Sequence, residues 1–248
     1  MSDGSDHYDF IPYKFGPYSF QLAEDVEILC RDAFLQADSN RYFAAGMFQA
    51  EITYPIAAER GDALIRKTYR EYPYYAINSE ITDRLFTGKE RIDFEYAKER
   101  YVKTGQMLFT IGYEGRSVEA FVNTLIENDV RLLCDVRKNP LSRKLGFSKN
   151  RLEHILGTAG ISYSHFPDLG IESEKRTSLE TKDDYAHLFE AYAEKLPSYE
   201  SALKKLYELF SARSRIALMC YEKEPEMCHR HVIRDYLHDH YSMECADL

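Results

Sequence analysis

From Met107 onward, short apolar runs alternate with stretches in which apolar residues recur every three or four positions, a pattern that predicts parallel strands joined by amphipathic helices. Strands are expected at about Leu108–Tyr113, Arg131–Val136, Ser162–Phe166 and Arg215–Tyr221. Helices are expected at about Ser117–Asn128, Ser148–Ala159, Asp183–Leu196 and Tyr199–Ser211, with a last one from about Pro225 to His240. Right-handed crossovers place such helices on both faces of a mostly parallel sheet. The expected fold is therefore an α/β domain over residues 105–248.

Residues 1–104 read differently, as a small mainly helical or winged-helix-like module with a connector. The segment Tyr8 to Phe20 is aromatic and punctuated by Pro12, Gly16 and Pro17, which predicts extended chain with a turn. Apolar residues at Phe20, Leu22, Val26, Leu29 and Cys30, with acids between them, predict a helix over Ser19–Cys30. Further helical patterns cover about Ala58–Tyr72 and Asn78–Phe86, and the charged run from Gly88 to about Gly105 reads as a helical or loose connector.

Composition narrows the class. The longest apolar runs, such as Arg215–Cys220, fall far short of the roughly 18 to 20 residues that a membrane span needs. The N-terminal residues lack the basic-then-apolar pattern of a secretory signal, so the expected address is the cytoplasm, with no membrane partner. An odd number of cysteines, Cys30, Cys134, Cys220, Cys228 and Cys245, spread through a long chain, argues for reduced thiols. The formal net charge of -9 supplies no overall field for nucleic acid. Local charge runs the other way: seven basic residues fall between Arg131 and Arg151, with Asp135 inside the stretch and Glu153 just beyond it.

Chemistry-bearing residues collect at the predicted carboxyl ends of strands. The first strand ends in Tyr113-Glu-Gly-Arg116-Ser117, where Ser117 caps the next helix and Arg116 offers a bidentate donor to a phosphate or carboxylate. The second ends in Asp135-Val-Arg137, followed by a basic loop through Pro140, Ser142, Arg143 and Lys144 to Gly146 that is expected to close over the strand ends. There Asp135 either orients Arg137 toward an anion or acts as a general base. Cys134 reads as a buried thiol. His165 sits at the end of the third strand.

The last strand delivers Cys220 and Glu222, and Cys228, His229 and Arg230 are expected on the first turn of the following helix, where the helix N-terminus and Arg230 favour a thiolate at Cys228. Three readings stay open: acid–base or covalent chemistry, a metal held by Cys220, Cys228 and His229 or His231, and a reversible Cys220–Cys228 disulfide. The seven residues between the cysteines match no common zinc knuckle, so no metal ligand set is assigned and the cofactor is left unknown.

At these residues the chain resembles the bacterial and archaeal domain-of-unknown-function family 488. The matching blocks are Thr110-Ile-Gly-Tyr-Glu-Gly-Arg-Ser117, Asp135-Val-Arg137 with Asn139-Pro140, Ser142-Arg-Lys144 through Gly146-Phe-Ser148, Tyr163-Ser-His-Phe-Pro-Asp-Leu-Gly170, and Cys220-Tyr-Glu222 with Cys228-His-Arg230, spanning about Leu108 to Leu237. The resemblance implies a fold and not a reaction. The aromatic segment at Phe10–Leu22 resembles part of small helical domains associated with phages and toxin–antitoxin systems, which implies a nucleic-acid or defence setting. Leu133-Cys-Asp-Val-Arg137 resembles a rhodanese strand, but the chain after Cys220 lacks the tight anion cradle of that family.

The expected function is an enzyme that binds an anionic, phosphate-bearing ligand, a nucleotide or nucleic-acid fragment, at the carboxyl ends of the strands. The expected catalytic residues are Asp135, Glu222, Cys228 and His229, and the expected ligand-binding residues are Tyr113, Arg116, Ser117, Arg137, Arg143, His165, Cys220 and Arg230. The rival reading is a non-enzymatic regulatory or defence protein that senses a small ligand or associates with nucleic acid. Oligomeric state is not legible.

Overall fold

The computed structural model describes residues 7–38, 41–44, 60–172, 179 and 181–248, and the chain divides into two compact units, Met1–Glu99 and Arg100–Leu248. Among the described residues, no helix is long and apolar enough to cross a membrane.

The N-terminal unit combines helices with two small antiparallel hairpins. Strands β1 (Ile11–Tyr13) and β2 (Gly16–Tyr18) pair around a tight turn. Helix α1 (Phe20–Arg31) follows, with the Ser19 hydroxyl accepting from Leu22 N–H at 3.2 Å. Strands β3 (Leu35–Asp38) and β4 (Arg41–Ala44) form the second hairpin. Then come α2 (Asp62–Glu71), α3 (Thr82–Leu85) and α4 (Gly88–Glu99). Tyr69, Ala76, Leu85, Phe86 and Phe94 make the core, and the Tyr69 hydroxyl satisfies itself on Ser79 at 2.8 Å. The expected helix start at Ala58 lies outside the described residues. The helix expected over Asn78–Phe86 shrinks to α3, because Ser79 spends its hydroxyl on the Ile81 N–H and Glu80 N–H turns to the Lys14 carbonyl.

In the C-terminal unit the chain runs β5 (Met107–Gly112), α5 (Val118–Glu127), β6 (Leu132–Asp135), α6 (Lys149–Thr158), β7 (Ser162–His165), α7 (Lys182–Lys195), α8 (Glu200–Arg213), β8 (Arg215–Cys220), α9 (Arg230–Tyr241) and β9 (Cys245–Asp247). The five strands form one sheet in the order β7-β6-β8-β5-β9, and every pair is parallel. The chain first steps from β5 through β6 to β7 at one edge, then returns through β8 to β9 at the other. Because parallel crossovers are right-handed, this reversal sends α5 and α6 to one face and α7, α8 and α9 to the opposite face.

Alternation along the strands matches. Leu108, Leu132, Cys134, Ile216, Leu218 and Cys220 join one core with Phe189, Leu203, Leu206, Phe210, Ile233 and Leu237 of α7–α9 and with Leu196 just beyond α7. The intervening Phe109, Ile111, Leu133, Ala217 and Met219 are buried toward the other face, as are Phe121, Leu125, Leu152 and Ile155 of α5 and α6. Each large aliphatic side chain so buried contributes on the order of 1.5–3 kcal/mol.

Two features depart from expectation. β9 extends the sheet beyond the four strands predicted, pairing Leu108 with Cys245 and Thr110 with Asp247. The last helix begins at Arg230 and not at Pro225: Pro225–Met227 is a single 3-10 turn, and Cys228 is extended at φ -139°, ψ 134°. A proline at the head of this run starts a turn, but Cys228 then breaks the helical path.

Candidate active-site crevice

Strand register aligns the four carboxyl ends: Gly112 lies opposite Cys220, and Asp135 lies opposite both Met219 and His165. β8 sits between β5 and β6, and its own connection leaves toward the opposite face from theirs. Such reversals part the loops and leave a crevice above the strand ends. The loops come close where glycine allows it. A Cβ on Gly112 would fall 1.8 Å from the Glu222 carbonyl oxygen, and one on Gly170 would fall 2.2 Å from Lys138 N. These two glycines let the loop after β8 lie on β5 and the segment after β7 lie on the loop after β6.

At the end of β6, Asp135 and Arg137 face each other. Arg137 Nε donates to Asp135 Oδ1 at 2.9 Å and Arg137 Nη2 to Oδ2 at 2.6 Å, while Arg137 N–H also donates to Oδ1. Tyr163 hydroxyl donates to Asp135 Oδ2 at 2.7 Å. Arg137 Nη1 donates to the Tyr113 hydroxyl and to the Phe147 carbonyl. These bonds commit four of the five guanidinium N–H groups. Burial works against the Arg137 charge, but the hydrogen bonds and charge of Asp135 outweigh it and hold the guanidinium protonated above its usual range. Burial, reinforced by Asp135, likewise pushes the Tyr163 phenol up. Asp135 therefore orients Arg137 and carries the carboxylate role within the protein.

The basic loop folds back over this pair. Tyr113 stacks on Phe147 with centroids 4.2 Å apart, Arg137 lies 5.2 Å from the Tyr113 ring centroid, and Lys144 Nζ donates to the Tyr113 carbonyl. Burial lowers the Lys144 pKa. His165 Nε2 lies 2.9 Å from the Arg137 carbonyl, which only accepts, so Nε2 carries the proton and His165 holds the loop in place.

Beneath the crevice lie Cys220, Cys228 and His229, 1%, 0% and 0% exposed. His229 Nε2 donates to the Val136 carbonyl at 3.0 Å. In the neutral ring this leaves Nδ1 as the acceptor, 3.8 Å from Cys220 Sγ and 3.8 Å from Cys228 Sγ. The thiolate expected at Cys228 is reversed: burial first, then the Cys220 thiol and Glu222, raise its pKa, and Arg230 opposes them only in part. The donor atoms of these three residues all lie within 4.8 Å of one another.

A crevice of about 340 Å³ opens above, lined by Tyr113, Arg137, Lys138, Asn139, Leu141, Ser142, Arg143, Ile171, Cys220, Tyr221 and His229. Of the residues expected from the sequence, Tyr113, Arg137, Arg143, Cys220 and His229 thus meet on one wall set. The others stand nearby in supporting positions. Arg116 turns along α5 to Thr124 at 3.1 Å, and Ser117 caps α5 by accepting from Ala120 N–H at 3.0 Å. Arg230 is fully buried, donating from Nε to Thr110 Oγ1 and from its two terminal nitrogens to the Glu222 and Lys223 carbonyls, so it ties down the loop after β8. The Glu222 backbone thereby serves the same loop. The lining residues Lys138, Asn139, Leu141, Tyr221 and Ile171 were not among the site residues expected from the sequence. The clue to Ile171 and Lys138 was Gly170, whose lack of a side chain lets their two segments touch.

No curated protein and no solved structure matches the chain. Residues 117–237, which hold most of this crevice and its supports, match the model of the family described as domain of unknown function DUF488.

Proposed function

We propose that the C-terminal unit is an enzyme that takes an anionic, phosphate-bearing ligand of nucleotide type into the crevice over β8, with its reaction centre at Cys220 and His229. One observation carries the reading. In a chain of net charge -9, the crevice is lined by Arg137, Lys138 and Arg143, with no carboxylate among its described lining residues. The Arg137 charge is balanced by Asp135, so the attraction for an anion falls to Lys138 and Arg143, with Asn139 and Ser142 as neutral donors. Tyr221, 46% exposed and edge-on to Tyr113 at 5.2 Å, offers a face on which a base stacks. The ligand's distal end then meets Cys220 and His229 at the floor.

Isothermal titration of the full-length protein with inorganic phosphate and with a nucleoside monophosphate tests this. Both are expected to bind, less tightly at higher salt, and Arg143→Ala is expected to weaken both by about ten- to a hundredfold, as loss of one charge-assisted contact does. No binding of either, or binding indifferent to Arg143→Ala and Lys138→Ala together, would refute it. The engagement of Asp135 by Arg137 and Tyr163 favours a second reading, a ligand sensor without turnover, since it removes a general base from the crevice. Nucleotide binding with no product formed on prolonged incubation would select that reading.

A further inference from the structure

We propose that Cys220, Cys228 and His229 form a zinc site whose fourth position faces the crevice. The cluster is assembled from two separate elements, the last residue of β8 and the two residues that lead into α9, extended Cys228 and the N-cap His229, so no local spacing motif announces it. Tetrahedral zinc with Zn–S of about 2.3 Å and Zn–N of about 2.0–2.1 Å sets ligand edges of roughly 3.6–3.8 Å. His229 Nδ1 lies 3.8 Å from each sulfur, and all three donor atoms fall within 4.8 Å of one another. Closing onto a metal therefore takes shifts of a few tenths of an ångström to about one ångström.

Three independent features fit. First, the His229 ring already donates its other N–H to the Val136 carbonyl at 3.0 Å, the outer contact by which a protein fixes the tautomer of a metal-ligating histidine. Second, two thiols buried side by side are poorly served as free thiolates, but Zn²⁺ binding expels both protons and leaves two thiolates against a divalent ion, a neutral unit suited to a site of 0–1% exposure. A monovalent ion on the same donors would leave net negative charge buried. Third, Cys220 and His229 line the crevice and Cys228 does not, which leaves room for the fourth position on the crevice side. Two cysteines, one histidine and an open vertex make a catalytic rather than a structural zinc arrangement. Zinc there acts as a Lewis acid on an oxygen of the bound ligand or on a water. The assignment rests on the anion-binding reading only for what occupies the fourth position; the three ligands stand on their own geometry.

The test uses the reduced, chelator-stripped full-length protein titrated with Co²⁺ and then Zn²⁺. Expected are one cobalt per chain, thiolate-to-cobalt charge-transfer absorption with tetrahedral visible bands, release of two protons, and loss of the spectrum when zinc displaces cobalt. Cys30→Ser should keep the spectrum. Cys220→Ser and Cys228→Ser should each reduce the charge-transfer intensity, and His229→Gln should weaken binding at least about tenfold. A wild-type protein that shows no thiolate band overturns the proposal, as does a band that survives both cysteine substitutions, or a Cys220–Cys228 disulfide in protein that refuses cobalt after reduction. Should a variant fail to fold, X-ray absorption on the wild-type zinc protein decides: two sulfurs support the site and any other number overturns it. Phosphate titration of the metal-free protein separates this outcome from failure of the anion-binding reading.

Discussion

Asp135 and Arg137, two positions apart at the end of β6, form a two-pronged ion pair in which the side chains are 0% and 6% exposed. The pair closes on itself, with Tyr113, Tyr163 and Phe147 taking up what remains. It is a brace under the crevice, and it turns the guanidinium into a fixed wall with little net charge.

Breaking one half of that brace should cost more than removing both. Asp135→Asn leaves a buried guanidinium without its counter-charge, and a loss of about 3–5 kcal/mol is expected, whereas an apolar pair of similar volume at both positions should recover much of it. Urea unfolding of the single and double variants measures the difference. A double-variant loss equal to the sum of the two single losses would mean that the pair has no coupling.

The two crowded glycines should tolerate nothing larger. Gly112→Ala and Gly170→Ala force a methyl to 1.8 and 2.2 Å from backbone atoms, and a loss of about 1–3 kcal/mol is expected together with weaker phosphate binding. Gly157→Ala, in α6 with open space around its Cβ, should be neutral or stabilising by up to about 1 kcal/mol. Thermal melts of the three variants check the contrast.

Stability should fall on the alkaline side through the buried thiols. Burial raises Cys134 and Cys228, and Cys245 is pushed up to about 11 from 9.0. An unfolded chain loses these protons near 9 while the folded one keeps them, so the contribution is whole below pH 9 and declines as pH climbs toward the folded values. Urea midpoints at pH 8 and pH 10 should separate, and Cys134→Ala should narrow the gap. Alkylation of Cys245 should likewise accelerate up to about pH 11 and not level off near 9.0.

Tyr221→Ala should distinguish a nucleotide from bare phosphate. Loss of a stacking face costs about 1–3 kcal/mol, so nucleoside monophosphate affinity is expected to drop roughly tenfold or more with inorganic phosphate affinity unchanged. Parallel titrations of wild type and variant give the ratio.

The sheet was legible because β5, β6 and β8 are buried on both faces and so read as mostly apolar runs. β9 was hidden: Cys245-Ala-Asp247 is three residues long, carries no β-branched side chain, and exists through its pairing with β5. The start of α9 was misplaced because composition shows that Pro225 begins a turn and not that Cys228 departs from it. The convergence of Tyr113, Arg137, Arg143, Cys220 and His229 followed from strand order and register. Which polar groups are consumed by one another did not, since Asp135 and Arg230 reveal their partners only when β5, β6 and the loop after β8 are side by side.

β9 has a reach beyond its size. The Thr110 hydroxyl donates to Asp247 and accepts from Arg230, whose other nitrogens grip the Glu222 and Lys223 carbonyls, and Asp247 also pairs with Arg234. The far margin of the sheet is in this way strung to the lip of the crevice through one hydroxyl and one guanidinium. Cutting the chain before Cys245 would do two things at once: bare the backbone of β5 to pairing with another molecule, and slacken the lip some distance from the cut.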